Sequence, residues 1–225
     1  MTKFKAAVIH LSLSVFFIGL LYLIINYIWY AKPLFEIAGV VEPLKLLILI
    51  DVIIGPLLTF VVYKAGKKHL KIDLSIIALI QIAALSYGII TIYQGRPSII
   101  VFNNGQFHFL HEKYANNQDL KFDELKPHYF SAPKMAYTTT YNGIEFYSSY
   151  AEFVPMDDYD SMLLPSSLSV ETMKAQFTAK DAEITALNNR YKGENIVFFK
   201  MAIKETTQYV VYSTKNNTII DYLKF

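Results

Sequence analysis

The sequence has no cysteine in 225 residues. That excludes disulfide staples, thiolate metal sites, c-type haem attachment and thiol redox chemistry, so any part outside the cytoplasm must be held by its core alone. Charge is scarce as well: 18% of residues are charged against 53% hydrophobic, too apolar a balance for an ordinary soluble enzyme. Catalytic and nucleotide signatures are missing, with no G-x-S-x-G, H-E-x-x-H, P-loop or dinucleotide fingerprint. Among the five histidines, His108 and His111 lie three apart in an expected strand. They should face opposite ways and make a poor metal site. The acidic run Asp157, Asp158 and Asp160 lacks the spacing and glycine of a calcium-binding loop and reads as solvated. No catalytic constellation can be assembled, and the expectation is a non-enzyme without cofactor or metal.

What is present is apolar length. Residues 6–28 hold one amide, Asn26, and no Asp, Glu, Lys or Arg; within residues 44–62 the one acid is Asp51, with Lys45 at the start; residues 72–93 hold one amide, Gln81, with Asp73 at the start. At about 1.5 Å per residue, such helices reach across a hydrocarbon core of roughly 30 Å. Three transmembrane helices are expected, over about 6–30, 44–62 and 72–93, within a membrane region 1–95. The first run exceeds a signal-peptide core and ends in Tyr27, Trp29 and Tyr30, which suit a membrane interface better than a cleavage site. Lys64, Lys67, Lys68 and Lys71 crowd the second connection, so the positive-inside rule places that loop and the N-terminus in the cytoplasm. Three crossings then put residues 96–225 on the other side, with Arg96 against the trend.

From Ser98 onward there are 12 basic and 15 acidic residues, which argues against a nucleic-acid face. Asn103, Asn104 and Gly105 form a hairpin turn between apolar runs 98–102 and 107–110, and Asn142 and Gly143 do the same between 135–141 and 144–148. Segments 195–204, 207–214 and 218–225 read as a three-strand meander. Ser169 with Thr172, and residues 179–191 closing at Gly193, read as helices. The expected fold class is a three-helix transmembrane region followed by a small α+β extracytoplasmic domain with an antiparallel sheet. Its many Phe and Tyr rings suit a core. Tyr147, Tyr150 and Tyr159 are candidates for a protein-binding surface, because tyrosine is enriched at interfaces.

Asp51 is the least expected residue, since a carboxylate within a membrane helix is costly and faces protein or water. Either it lies near enough to the outer interface to be solvated, or it makes a polar contact with Gln81 or with a partner's helix. Gly55 and Pro56 follow one turn later and suggest a kink. Ala83, Ala84, Ser86 and Gly88 offer small residues for close helix packing. Gly95, Arg96 and Pro97 end the third helix as a structural motif at its outer end.

As a set, Asp51, Gly55, Pro56 and Thr59, then Lys64, Gly66, Lys67, Lys68 and Asp73, then Gln81, Tyr87, Gly88, Gly95, Arg96 and Pro97 resemble the TfpX/TfpZ-type type IV pilin accessory proteins of Gram-negative bacteria. Trp29, Tyr30, Pro33, Leu34, Phe35, Gly39 and Val40 fit too. The resemblance is dense over residues 4–102 and weak beyond. It implies an inner-membrane, pilin-specific chaperone that stabilises its cognate major type IV pilin or promotes its assembly into the pilus. The partners would be that pilin and membrane lipid, with no nucleic acid. Such a helper needs an intramembrane face for the pilin helix, for which Asp51, Gly55, Pro56 and Gln81 are candidates, and an outer domain for the pilin head. The competing readings are a membrane-anchored extracytoplasmic ligand sensor and a proton-coupled membrane subunit. The cytoplasmic parts are too small for an output domain, and intramembrane acid–base groups are too few.

Overall fold

Thr2 opens the first helix by accepting a hydrogen bond from the Lys5 backbone N–H at 3.2 Å, which satisfies one of the free amides at the helix start. The computed structural model describes residues 2–116, 120–138, 153–156, 166–203 and 206–224. Among the described residues, three helices are long and apolar enough to cross a membrane: α1 (Lys3–Trp29), α3 (Val41–Val62) and α4 (Leu70–Gly95). A short helix α2 (Leu34–Ile37) lies in the first connection. Large apolar side chains such as Phe16, Val61 and Leu79 point outward and are more than 60% exposed, as suits surfaces solvated by lipid.

In place of a simple proline kink, α3 carries a π-helical turn over Leu49–Ile54, just before Gly55 and Pro56. The Gly55 N–H reaches back five residues to the Ile50 carbonyl. Proline has no N–H to donate, and its ring crowds the carbonyl four residues earlier. A widened turn relieves that crowding. α3 also begins earlier than its apolar run suggests, because Glu42 and Pro43 occupy its first turn, where a free N–H end favours an acid and tolerates proline.

After α4 the chain forms strands β1 (Pro97–Asn103) and β2 (Gln106–His111), a helical turn α5 (Glu112–Ala115), and strands β3 (Lys134–Tyr137) and β4 (Val154–Pro155). Helices α6 (Val170–Gln176) and α7 (Asp181–Arg190) precede β5 (Ile196–Ile203), β6 (Thr206–Ser213) and β7 (Thr218–Lys224). Asn104 and Gly105 hold φ of 48° and 80°, the paired left-handed geometry of a two-residue hairpin turn. The strand order is β4-β3-β1-β2-β5-β6-β7. The sheet is mixed rather than purely antiparallel: β1 runs parallel to β3, and β2 parallel to β5. Both pairings follow long connections, which parallel neighbours require and hairpins do not. The strand expected before Asn142 begins at β3; the remainder of that hairpin lies outside the described residues.

Strand alternation divides the core. One sheet face, with Ile100, Phe102, Phe107, Phe199, Val210 and Tyr212, joins Trp29, Tyr30, Leu34, Val40, Leu44 and Ile92 in a single apolar cluster. The sheet and the helix ends therefore share one core. On the opposite face, Met173, Ile184 and Leu187 of α6 and α7 cover Phe198, Tyr209, Val211 and Leu223. Ala115, Leu120 and Leu125 cover Ile99, Val101 and Leu110.

Candidate functional site

α1 and α4 pack chiefly on α3 rather than on each other. A cavity of about 610 Å³ lies between them with α3 as its floor. One wall is Ala6, His10, Ser14 and Phe17 of α1; the other is Leu74, Ala78, Gln81 and Ile82 of α4; Asp51 and Thr59 line the floor. Asp51 is only 5% exposed. It stands ten residues after Val41 and eleven before Val62, roughly 15 Å from either helix end.

The polar groups here are few and incompletely matched. His10 Nδ1 and Thr59 Oγ1 are hydrogen-bonded at 2.6 Å, which ties α1 to α3, and the Gln81 side chain reaches the same imidazole. Asp51 Oδ2 and Gln81 Nε2 are buried without a hydrogen-bond partner among the described residues. Leaving such a group unmatched costs about 1–3 kcal/mol, and a charge at mid-membrane about 2.5 kcal/mol or more. Gly55 makes the close approach of Gln81 possible: a Cβ at residue 55 would fall 1.7 Å from Gln81 Nε2 and 3.1 Å from His10 Nε2. Asp51, Gly55, Pro56 and Gln81 are thus neighbours around one site, with Gly55 and Pro56 buried in the α3 wall. Sequence reasoning did not count His10, Ser14 or Thr59 among the site candidates. The signal was there in α1, where Ala6, His10, Ser14 and Ile18 recur every fourth residue and so share a face.

Arg96 holds the junction between α4 and the sheet. It is 1% exposed, and each of its five N–H donors is used. Nε and Nη2 donate to Glu112 Oε2 at 3.1 and 3.0 Å, Nη2 also to the His128 carbonyl at 2.6 Å, and Nη1 to the carbonyls of Tyr129 and Ser131 at 3.3 Å each. Its guanidinium also lies 4.5 Å from the centre of the Tyr93 ring. Glu112 is matched equally well, accepting from Tyr93 Oη at 2.8 Å, Asn116 Nδ2 at 3.1 Å and the Ser98 hydroxyl. Trp29 Nε1 donates to the Tyr129 carbonyl at 2.7 Å, so the end of α1 is bound into the same network. Gly95 and Pro97 flank Arg96 as the last residue of α4 and the first of β1. Glu112 escaped notice in the sequence because nothing local marks it as Arg96's partner.

His111 Nδ1 bonds the Gly95 carbonyl at 2.8 Å. His108 and His111 both border a second cavity, of about 600 Å³, between the sheet and the helix ends. Burial holds His108 below the usual histidine range. Tyr147, Tyr150 and Tyr159, with the acidic run around Asp158, lie outside the described residues.

A membrane-associated α+β protein with a polar-floored groove between its spanning helices is the class that fold and site define. By sequence it is similar to fimbrial assembly proteins of Dichelobacter nodosus. The protein of serogroups C1 and C2 is 37% identical over 123 residues, which are 54% of this chain and 90% of that one. Those of serogroup I (37%) and serogroup E1 (36%) also match over 123 residues, there 46% of their own length. The chain belongs to this fimbrial assembly protein family, although it spans about half the length of the serogroup I and E1 relatives. No family model matches the sequence, and no solved structure matches the fold.

Proposed function

We propose that this protein is an inner-membrane accessory factor of type IV pilus assembly that acts as a chaperone for its cognate major pilin. It works by binding rather than by catalysis. The observation that carries this reading is the groove between α1 and α4, largely apolar, with the unmatched Asp51 on its floor and Gln81 on its α4 wall. A pilus subunit awaiting assembly presents a hydrophobic helix in the membrane, and the groove offers that helix an apolar lining with polar contacts at mid-depth. The sheet, at the far end of the same helices, stands where it would meet the subunit's globular part. Membership of the fimbrial assembly family supports the process, and the groove supports the mode.

In this reading the N-terminus and the loop carrying Lys64, Lys67 and Lys68 are cytoplasmic and the sheet domain is periplasmic. Arg96 does not oppose that orientation, because Glu112 neutralises it internally at 3.0 Å. The natural absence of cysteine makes the topology directly testable. A thiol introduced as Gly66→Cys should label only after the membrane is permeabilised, and one introduced as Asn216→Cys should label from outside.

The binding mode is tested by photocrosslinkers at Phe17 and Ile82, on the two walls of the groove, with Tyr87 of α4, 74% exposed and outside the groove lining, as control. Capture of the pilus subunit from the two groove positions and not from residue 87 is expected. Capture only from residue 87, or none, rejects the groove as the binding face.

A further inference from the structure

The groove's unmatched polar atoms point to the chemistry of its occupant. Asp51 Oδ2 is an acceptor and Gln81 Nε2 a donor, both are buried, and neither has a partner among the described residues. Both residues line the same cavity, whose other polar lining residues are His10, Ser14 and Thr59. His10 and Thr59 do not resolve the mismatch: His10 Nδ1 is engaged with Thr59, and although the Gln81 side chain reaches the imidazole, Gln81 Nε2 finds no partner there. A lipid acyl chain could fill the volume but offers neither donor nor acceptor. An ammonium could serve Asp51 but would leave the Gln81 N–H without an acceptor. The occupant must both donate and accept, and a carboxamide, unlike a single hydroxyl oxygen, does so from separate atoms, its nitrogen donating to Asp51 and its oxygen accepting from Gln81.

On the reading that the groove takes a membrane helix, we propose that it selects helices bearing a carboxamide side chain at mid-membrane depth, read jointly by Asp51 and Gln81. The depth follows from Asp51's place at the middle of α3. Interhelical hydrogen bonds of this kind give selectivity without requiring water in the groove. Gly55 belongs to the recognition indirectly: its missing side chain lets the Gln81 amide come forward over α3.

The test uses the full-length protein in lipid nanodiscs and synthetic leucine-rich transmembrane peptides of about 20 residues, differing only at the central position: Leu, Asn or Lys. Binding is read by energy transfer from a donor on the protein to an acceptor on the peptide. The Asn peptide should bind roughly three- to tenfold more tightly than the Leu peptide, with the Lys peptide no better than Leu. Asp51→Leu and Gln81→Leu should each abolish the Asn preference, while Tyr87→Ala preserves it. Retention of native Trp29 fluorescence checks folding in each variant. Equal binding of the Leu and Asn peptides, strongest binding of the Lys peptide, or persistence of the preference in both groove variants overturns the proposal. The wild-type comparison decides even where a variant fails to fold. If no peptide binds while the pilus subunit crosslinks at Phe17 and Ile82 in cells, the carboxamide rule falls and the assembly reading stands. If the Asn preference holds but no subunit crosslinks, the reverse follows.

Discussion

The Gln81 side-chain nitrogen sits 1.7 Å from where a Cβ on residue 55 would be, so the glycine of α3 and the amide of α4 occupy one another's space. Gly55→Ala therefore cannot leave Gln81 in place. The long amide side chain will swing away from α3 and from His10, at a cost of about 1–3 kcal/mol for overpacking. The expected outcome is a folded protein with a modestly lowered Tm in detergent. It should also show a crosslinking loss at Ile82, one residue from the displaced amide, larger than that at Phe17. An unchanged crosslinking pattern would show that the position of Gln81 does not govern occupancy.

Arg96 and Glu112 make the opposite kind of site, a buried pair with matched donors and acceptors. Removing one partner strands the other's charge in an apolar junction, which costs about 3–5 kcal/mol. Arg96→Met and Glu112→Leu should each lower thermal stability strongly, and the double variant should be more stable than either single one. Trp29, the single tryptophan, bonds the Tyr129 carbonyl beside the pair, so its emission should shift to the red in the single variants. A double variant as unstable as the sum of the two would show that the residues act independently.

Much of this arrangement was legible in the sequence, and the failures have physical causes. The lengths of the apolar runs gave the three helices, because lipid demands continuous apolar surface and local hydrogen bonding. The start of α3 was misplaced because Glu42 and Pro43 look like loop residues, yet a helix's first turn accepts both. That shift puts Asp51 near the middle of α3 rather than in its outer half. Asn104 and Gly105 announced their turn, since positive φ is a local property. The parallel pairing of β1 with β3 and β2 with β5 was not legible, because it depends on where long connections return the chain. Glu112 was missed for the same reason: its partner Arg96 lies 16 residues away.

Gly88 shows how tightly the small-residue face of α4 is used. A Cβ there would fall 2.0 Å from Leu47 Cδ1 of α3. Gly88→Val should push Leu47 off its rotamer and separate α3 from α4, a destabilisation of about 1–3 kcal/mol. Adding Leu47→Ala to Gly88→Val should recover part of the loss by making room. Thermal unfolding of the two single variants and the double variant checks this, and no recovery in the double variant would mean that the backbone, rather than Leu47, absorbs the strain.

His108 sets a pH dependence for the sheet's anchorage. Burial lowers its affinity for a proton below the ordinary value near 6.5. As pH falls through about 6.5, the unfolded chain takes up a proton that the folded protein resists. The stability associated with a neutral His108 is thus fully present above pH 6.5 and is lost progressively as the solution becomes more acidic. Because His108 borders the cavity between the sheet and the helix ends, the loss should appear first as loosening of that junction. His108→Gln removes the titration while keeping a polar side chain of similar reach. Thermal unfolding between pH 7.5 and 5 should fall less steeply for the variant than for the native protein, and parallel profiles would assign the acid sensitivity to other groups.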